Sequence, residues 1–136
     1  MAKVTVQRTD DGFVARNGRG AEIKLGSSAE EDVFTPVELL LAAVGGCNIV
    51  SVEPLTAKRG HRLVRLAMTV EAEKIEPTLL GPVTVTYEVE LPEGDLKADE
   101  VFRAVAHRVH DRHCTVTRSL ERGTKVEIVL PPDEPL

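Results

Sequence analysis

The sequence contains two cysteines, Cys47 and Cys114, and only the thiolate form of a cysteine acts as a nucleophile. Cys47 lies within an apolar stretch, where burial raises a thiol pKa and favours an inert core residue. Cys114 has Arg112, His113 and Arg118 close by, and positive neighbours lower a thiol pKa; the alternative is a partly exposed, ordinary thiol. Their separation along the chain excludes a CxxC redox motif and a four-cysteine zinc site.

Three histidines before the second cysteine raise the possibility of a metal site. His107, His110 and His113 are spaced three apart, so neighbouring pairs share a helix face while the outer two diverge by about 120°. Together with Cys114 they could form an open metal site, with His110 and His113 as its ligands. A solvated histidine face is the favoured explanation of the spacing, because the trio does not converge on one ion, and we therefore predict no metal and no other cofactor.

The residues around Cys47 predict a long, apolar helix. Thr35 as N-cap, Pro36 at the first helical position and Glu38 three residues after the cap form a capping box. Glu38 would then lie about 13 Å along the axis from Cys47 and roughly on the opposite side, which leaves it a capping role. Asn48 and Ser51 could hydrogen-bond near the thiol. Further along, we expect a kink or break at Pro54 and a helix end at residues 58–60.

The other elements that must position the cysteines are strands and one amphipathic helix. Alternating apolar residues predict an initial three-strand meander with a tight hairpin at Asn17-Gly18, then two long strands separated by a loop. This order predicts an α+β fold with a mostly antiparallel sheet and a long buried central helix. The predicted strands are 3–8, 13–16, 21–25, 64–72, 83–91 and 125–130, the loop is 76–82, and the second helix is 97–111.

Composition limits the function classes. The chain has 136 residues, 42% of them apolar, and a net charge of -5 without a basic cluster, so we expect no nucleic-acid partner. The central helix is too interrupted by Gly45 and Gly46 for a membrane span, and the N-terminus lacks an apolar leader segment, so we expect a cytoplasmic protein. Because the helix is apolar nearly all round, one sheet cannot cover it, and a second copy of the chain is the simplest cover.

Two stretches resemble the cysteine motifs of the OsmC/Ohr family. TPVELLLAAVGGCNIVSV, with Pro36 and Cys47, resembles the Pro-initiated helix that carries the family's first cysteine, and RHCTVTRSL, with Cys114, resembles its second motif. The wording of the first motif is most similar to the short YhfA-like branch. Because the resemblance covers nearly the whole chain, we expect a single OsmC-like domain over residues 1–130, followed by a Pro-rich, disordered tail at 131–136.

The resemblance implies an intertwined homodimer with the active sites at the subunit interface. It implies that Cys47 is the catalytic thiolate that attacks an organic hydroperoxide and becomes a sulfenic acid. It further implies that Cys114 resolves this intermediate as a disulfide, which an external thiol then reduces.

The sequence departs from the peroxidase branches at two positions. Their thiolate-stabilising arginine would fall at Gly26-Ser27-Ser28, and the nearest arginines are Arg16 and Arg19. Their glutamate, directly after the helix-starting proline, is replaced by Val37, and Glu38 is rotated about 100° from that position. The alternative is therefore a non-peroxidase OsmC-like protein that binds a small apolar or thiol-reactive ligand at the dimer interface.

Overall fold

A computed structural model describes residues 1–132, and it begins with the expected meander. Strands β1 (Val4–Thr9), β2 (Gly12–Asn17) and β3 (Glu22–Leu25) form an antiparallel sheet in that order. The β2–β3 turn is organised by Asn17, whose side-chain oxygen accepts hydrogen bonds from the backbone N–H groups of Arg19 and Ala21. The last four residues of the predicted disordered tail, 133–136, lie outside the described residues.

Helix α1 (Pro36–Lys58) begins as its capping box predicts. The Glu38 N–H donates to Oγ1 of Thr35 at 3.1 Å, and the Thr35 N–H donates to the Glu38 carboxylate at 2.8 Å. The expected break at Pro54 is wrong, because the helix continues through it. Pro54 has no N–H to donate to the carbonyl of Val50, four residues earlier. Val50 is 70% exposed, so water can hydrogen-bond to this carbonyl instead. The helix ends as expected, with Gly60 at φ +86°.

The two long strands pair with each other and pack on α1. β4 (Arg65–Glu71) and β7 (Thr84–Glu90) are antiparallel, with Met68 opposite Tyr87, and β7 alternates between half-buried and exposed residues as predicted. The expected loop at 76–82 instead contributes β6 (Leu79–Leu80) to a small hairpin with β5 (Lys74–Glu76), which begins just before that loop. The single predicted sheet is therefore three separate antiparallel sheets within one chain.

The second half ends in a helical region that the sequence predicted only in part. Helix α2 (Ala98–Arg108) runs into a π-helical turn at Val109–His113, and a short helix α3 (Thr115–Glu121) follows. The predicted strand at 125–130 is wrong for this single chain, where these residues have no regular secondary structure. The core between α1, α2 and the β4–β7 pair is formed by Val52, Leu63, Phe102, Val105, Val109 and Cys114.

Helix α1 is long and apolar enough to cross a membrane by length and composition alone. The core helix of a soluble protein passes the same test, and α1 packs on β4, α2 and α3 within its own chain. Its burial is incomplete, however, because the chain buries only 28% of its most apolar window. The expected burial of the central helix is thus only partly met by one copy of the chain.

Candidate active site

The fold brings the two cysteines into contact. Cys47 projects from the middle of α1 and is half-buried, while Cys114, at the start of α3, is 0% exposed. Cys47 packs against the buried core cluster to which Cys114 belongs, and both sulfurs are free thiols. Two nucleophiles that are distant in sequence therefore share one pocket of the core.

The backbone turn between α2 and α3 places Cys114. The N–H of Cys114 donates to the carbonyl of Val109 at 2.8 Å, which closes the π-helical turn. Its sulfur is the N-cap of α3: the thiol donates to Oγ1 of Thr117 at 2.9 Å and accepts from the Thr117 N–H at 3.4 Å. The alternative of a partly exposed, ordinary Cys114 is therefore wrong.

The surroundings of Cys47 favour its neutral form. Burial, the largest effect, and the hydrogen bond with Cys114 raise the pKa of the Cys47 thiol above its usual value of 9.0. The backbone N–H groups of Val116 and Thr115 oppose this shift because they donate hydrogen bonds to the sulfur and stabilise the thiolate. The start of α3 thus supplies donors to both sulfurs.

Two of the arginines that the sequence singled out, Arg16 and Arg118, are engaged elsewhere. Arg16 binds the Glu22 carboxylate at 2.6 Å and the Gln7 side chain at 2.8 Å, on the meander. Arg118, next to the second cysteine, donates to the Arg112 carbonyl at 3.4 Å. Within residues 1–132, no arginine is among the groups that shift the pKa of Cys47.

The other candidate residues take structural roles. Glu38 caps α1, and the Asn48 side chain donates to the Val44 carbonyl at 2.8 Å rather than to a thiol. His110 lies 3.7 Å from the Glu121 carboxylate, between α2 and α3. In the part of the chain that the structure describes, no three metal-ligating side chains come together, so a site at His110, His113 and Cys114 lacks support.

One tyrosine that the sequence analysis did not single out lies beside the pair. Tyr87 of β7 packs edge-on against Phe102 of α2, with ring centroids 5.5 Å apart. Burial, and secondarily the charge of Cys114, raise the pKa of the Tyr87 hydroxyl. Tyr87 is the only tyrosine in the sequence and lies on the half-buried face of β7. Its place in the alternating pattern could have marked it as a residue facing the core.

An apolar cavity of about 700 Å³ reaches the site from one side. Thr117, which contacts the Cys114 sulfur, lines it together with Val44 of α1 and Leu120 of α3. The β5–β6 hairpin and the segment after it close the opposite wall, through Leu79, Leu80, Gly81, Pro82 and Val83. A small organic molecule could therefore bind one residue away from the Cys114 sulfur, on the far side of Thr117.

Comparisons with known proteins cover both cysteines. The sequence model of a family described as "OsmC-like protein" matches residues 29–129. An uncharacterized protein of Mycobacterium tuberculosis is 31% identical over 132 residues, which span 94% of this chain and 95% of the relative. Protein YhfA of Escherichia coli is 25% identical over 116 residues, 84% of either chain.

Solved structures match the fold over nearly its full length. An OsmC-like protein from Mycoplasma pneumoniae superposes with a TM-score of 0.68 at 18% identity, covering 91% of this chain and 89% of the other. The organic hydroperoxide resistance protein OhrB of Bacillus subtilis gives a TM-score of 0.59 at 18% identity, covering 91% and 92%. At this identity the likeness concerns the fold, which supports the predicted α+β architecture.

Proposed function

Because this chain belongs to the family of OsmC-like proteins, we propose that it is a thiol-dependent peroxidase that reduces organic hydroperoxides. The observation that carries the proposal is the packing of Cys47 against the core cluster that holds Cys114. An apolar cavity beside the pair suits the organic part of such a substrate. The cytoplasm, where thiol reductants are abundant, is the compartment in which a two-thiol cycle can be renewed.

The proposed cycle has three balanced steps. The Cys47 thiolate attacks the terminal oxygen of the hydroperoxide, the O–O bond breaks, and the alcohol leaves after taking up one proton. Cys114 then attacks the sulfur of the Cys47 sulfenic acid; a disulfide forms and the hydroxide leaves as water with the Cys114 proton. Two molecules of an external thiol reduce this disulfide and become a disulfide themselves, which restores both cysteines. No metal or other cofactor takes part.

Peroxide consumption with single-cysteine variants tests the cycle. Purified protein with an excess of a dithiol reductant and cumene hydroperoxide is expected to consume peroxide, and Cys47→Ser is expected to abolish this activity. Cys114→Ser is expected to keep the first step and to accumulate a Cys47 sulfenic acid that dimedone traps, as seen by intact-protein mass spectrometry. Full activity of Cys47→Ser would remove Cys47 from the mechanism.

We further propose that the working molecule is an intertwined homodimer with each site completed at the interface. Helix α1 leaves Val50 70% exposed on an apolar face, and the C-terminal segment exposes Val126, Ile128, Val129 and Leu130. Unpaired apolar surface of this extent marks an interface. A partner is also the available source of a cation for the Cys47 thiolate, since the arginines nearest in sequence before α1 are not among the groups that act on it.

The raised pKa of Cys47 favours a second candidate function. A neutral thiol beside an apolar cavity suits a protein that binds a small apolar or thiol-reactive ligand without reducing it. This candidate predicts that N-phenyl-1-naphthylamine fluorescence rises on binding and that Leu120→Arg, in the cavity wall, abolishes the rise. It also predicts that both thiols stay unlinked after one equivalent of hydroperoxide, whereas the peroxidase forms a disulfide.

A further inference from the structure

We propose that Thr117 is a positioning residue that sets how fast Cys114 attacks the sulfur of Cys47. The inference rests on the two-cysteine function proposed above. It adds a residue of α3 to the second step of the cycle, in which the disulfide forms, and leaves the first step to Cys47.

The geometry gives Thr117 two contacts with one sulfur. Its hydroxyl accepts from the Cys114 thiol at 2.9 Å, and its backbone N–H donates to the same sulfur at 3.4 Å. Thr117 is 9% exposed and Cys114 is 0% exposed, so bulk water does not compete freely for these groups. The backbone at Cys114 is fixed as well, because its N–H donates to Val109 and its carbonyl accepts from Arg118.

These contacts match what the attacking thiol needs. When Cys114 attacks the sulfur of Cys47, its own sulfur loses a proton and passes through a state with thiolate character. A threonine hydroxyl can accept from the thiol before the proton leaves and, after rotating, donate to the thiolate. The backbone N–H of Thr117 donates to the Cys114 sulfur in both the thiol and the thiolate state and so holds this sulfur in position.

The same hydroxyl is the acceptor of the proton that Cys114 gives up. Thr117 also lines the cavity of about 700 Å³, so one residue contacts both this cavity and the Cys114 sulfur. The hydroxide that leaves the Cys47 sulfur takes up the proton of Cys114. Atoms balance: Cys114–SH and Cys47–S–OH give the disulfide and one water.

A disulfide probe isolates this step without any peroxide. 2,2′-Dipyridyl disulfide reacts with the Cys47 thiolate to release one 2-thiopyridone and leave a mixed disulfide at Cys47. Cys114 then attacks the Cys47 sulfur and releases the second 2-thiopyridone. The absorbance of the two releases gives the two rates separately, and Cys114→Ser identifies the second.

Thr117→Val and Thr117→Ser are the decisive variants. Valine keeps the shape and the backbone N–H but lacks the hydroxyl, and it is expected to slow the second release by about tenfold, the factor that about 1.4 kcal/mol of hydrogen-bond energy corresponds to. The first release is expected to stay within about twofold, and Thr117→Ser to restore most of the second. Thr124→Val, which removes a threonine hydroxyl at the far end of α3, is the matched control.

The ratio of the two rates separates positioning from a packing defect. Loss of the Thr117 hydroxyl is expected to slow the second release alone, whereas a general loss of packing slows both releases. If Thr117→Val proves unstable, Thr117→Ala removes the same hydroxyl and is tested in the same way. A second release at the wild-type rate in these variants, or no rescue by serine, would overturn the proposal.

A second experiment with hydroperoxide distinguishes failure of the peroxidase function from failure of the proposed role of Thr117. With one equivalent of cumene hydroperoxide, Thr117→Val is expected to show more dimedone-trapped Cys47 sulfenic acid than the wild type or Thr117→Ser. If the wild type does not react with hydroperoxide at all, the peroxidase function fails. The disulfide probe still decides, in that case, whether Thr117 controls the attack of Cys114 on Cys47.

Discussion

The Cys47 thiol has two kinds of neighbours that act on its pKa in opposite directions. Burial and the Cys114 thiol raise the pKa, and the backbone N–H groups of Val116 and Thr115 lower it, with a net rise. Reactions that need the Cys47 thiolate should therefore quicken as the pH rises through and above the ordinary value of 9.0. Within one chain, the site holds a nucleophile that is mostly protonated at neutral pH.

Removing Cys114 should lower the pKa of Cys47, because its hydrogen bond and its charge both favour the neutral thiol. We expect the alkylation of Cys47 by iodoacetamide to reach half of its maximal rate at lower pH in Cys114→Ala than in the wild type. Mass spectrometry of the Cys47 peptide between about pH 6 and pH 10.5 measures this profile. Cys114→Ser, which keeps a hydrogen-bonding group, should fall between the two. Identical profiles in all three proteins would leave burial as the sole cause.

The sequence suggested the two sulfurs of the candidate site but not the groups around them. The two cysteine motifs could be recognised, and their contact in the fold agrees with a shared role. The N–H donors of Thr115 and Val116 are backbone groups, which no residue pattern reports. Thr117 was missed because helix α3, which contains it, was not predicted. Cysteine is not among the usual N-cap residues, so the start of α3 has no conventional sequence signal. A signal for the end of α3 was available in Gly123, which follows the helix at φ +67°.

At the scale of elements, Gly45 allows α1 to lie close to β4. A Cβ added at Gly45 would lie 2.8 Å from Cγ2 of Val70, a stiff branched side chain. Gly45→Ala gains about 1 kcal/mol of helix propensity but overpacks this contact at a cost of about 1–3 kcal/mol. We therefore expect a net loss of up to about 2 kcal/mol in the free energy of unfolding, measured by urea denaturation.

A compensating change tests the cause of that loss. Val70→Ala removes the methyl group that the new Cβ meets, so the double variant Gly45→Ala/Val70→Ala should lose less than the sum of the two single variants. Gly46→Ala, one position further along α1, serves as the control, because an added Cβ there meets no other element within 4 Å in residues 1–132. Simple additivity in the double variant would show that the Gly45–Val70 contact is not the constraint.

The residue that follows α1 and the loop before α2 are joined by a side-chain hydrogen bond. Nδ1 of His61 lies 2.7 Å from the Asp95 carboxylate, which also accepts from the Lys97 N–H at 3.2 Å. The hydrogen bond with His61 lowers the pKa of Asp95 below its usual 3.8. A lowered folded pKa means that the contribution to stability is present above this usual value and is lost as the pH falls through the folded pKa.

Asp95→Asn should therefore destabilise the protein near neutral pH and cost progressively less as the pH falls below the ordinary range of a carboxyl group. Urea denaturation of both proteins at about pH 6 and about pH 3 measures the difference at each pH. Asp10→Asn, an exposed carboxyl in the β1–β2 turn, is the matched control. A difference between Asp95→Asn and the wild type that does not change with pH would contradict this account.

Elements with strong local signals could be predicted, and those that depend on distant partners could not. The capping box fixed the start of α1, and clean alternation fixed β7. The β5–β6 hairpin was missed because Glu76-Pro77 and Gly81-Pro82 indicated only a loop, and β5 begins just before it, at Lys74. The segment 125–130 has the alternation of a strand, but a strand needs a neighbour, and the single chain provides none within residues 1–132.

At the scale of the whole molecule, α1 and residues 125–130 both expose apolar side chains, and the proposed dimer would explain both. Val50 is exposed on a helix that has no polar face, and Val126 is 88% exposed in a segment with a strand pattern. Both features leave apolar surface in water, which a second copy of the chain would bury. The exposed residues of β1, including Val4 and Val6, add to this surface.

A charge on the open face of α1 should separate the subunits of the proposed dimer. We expect the wild type to sediment as a dimer at micromolar concentration and Val50→Arg to sediment as a monomer, because an arginine buried between two apolar helices lacks a partner for its charge. Leu96→Arg, at a residue that is 96% exposed in the β7–α2 loop, introduces the same charge away from that face and should remain dimeric. Since the site is proposed to be completed at the interface, Val50→Arg should also lose peroxide consumption while Leu96→Arg keeps it. A monomeric wild type, or a dimeric Val50→Arg, would show that α1 does not form the interface and that the cation for Cys47 must come from elsewhere.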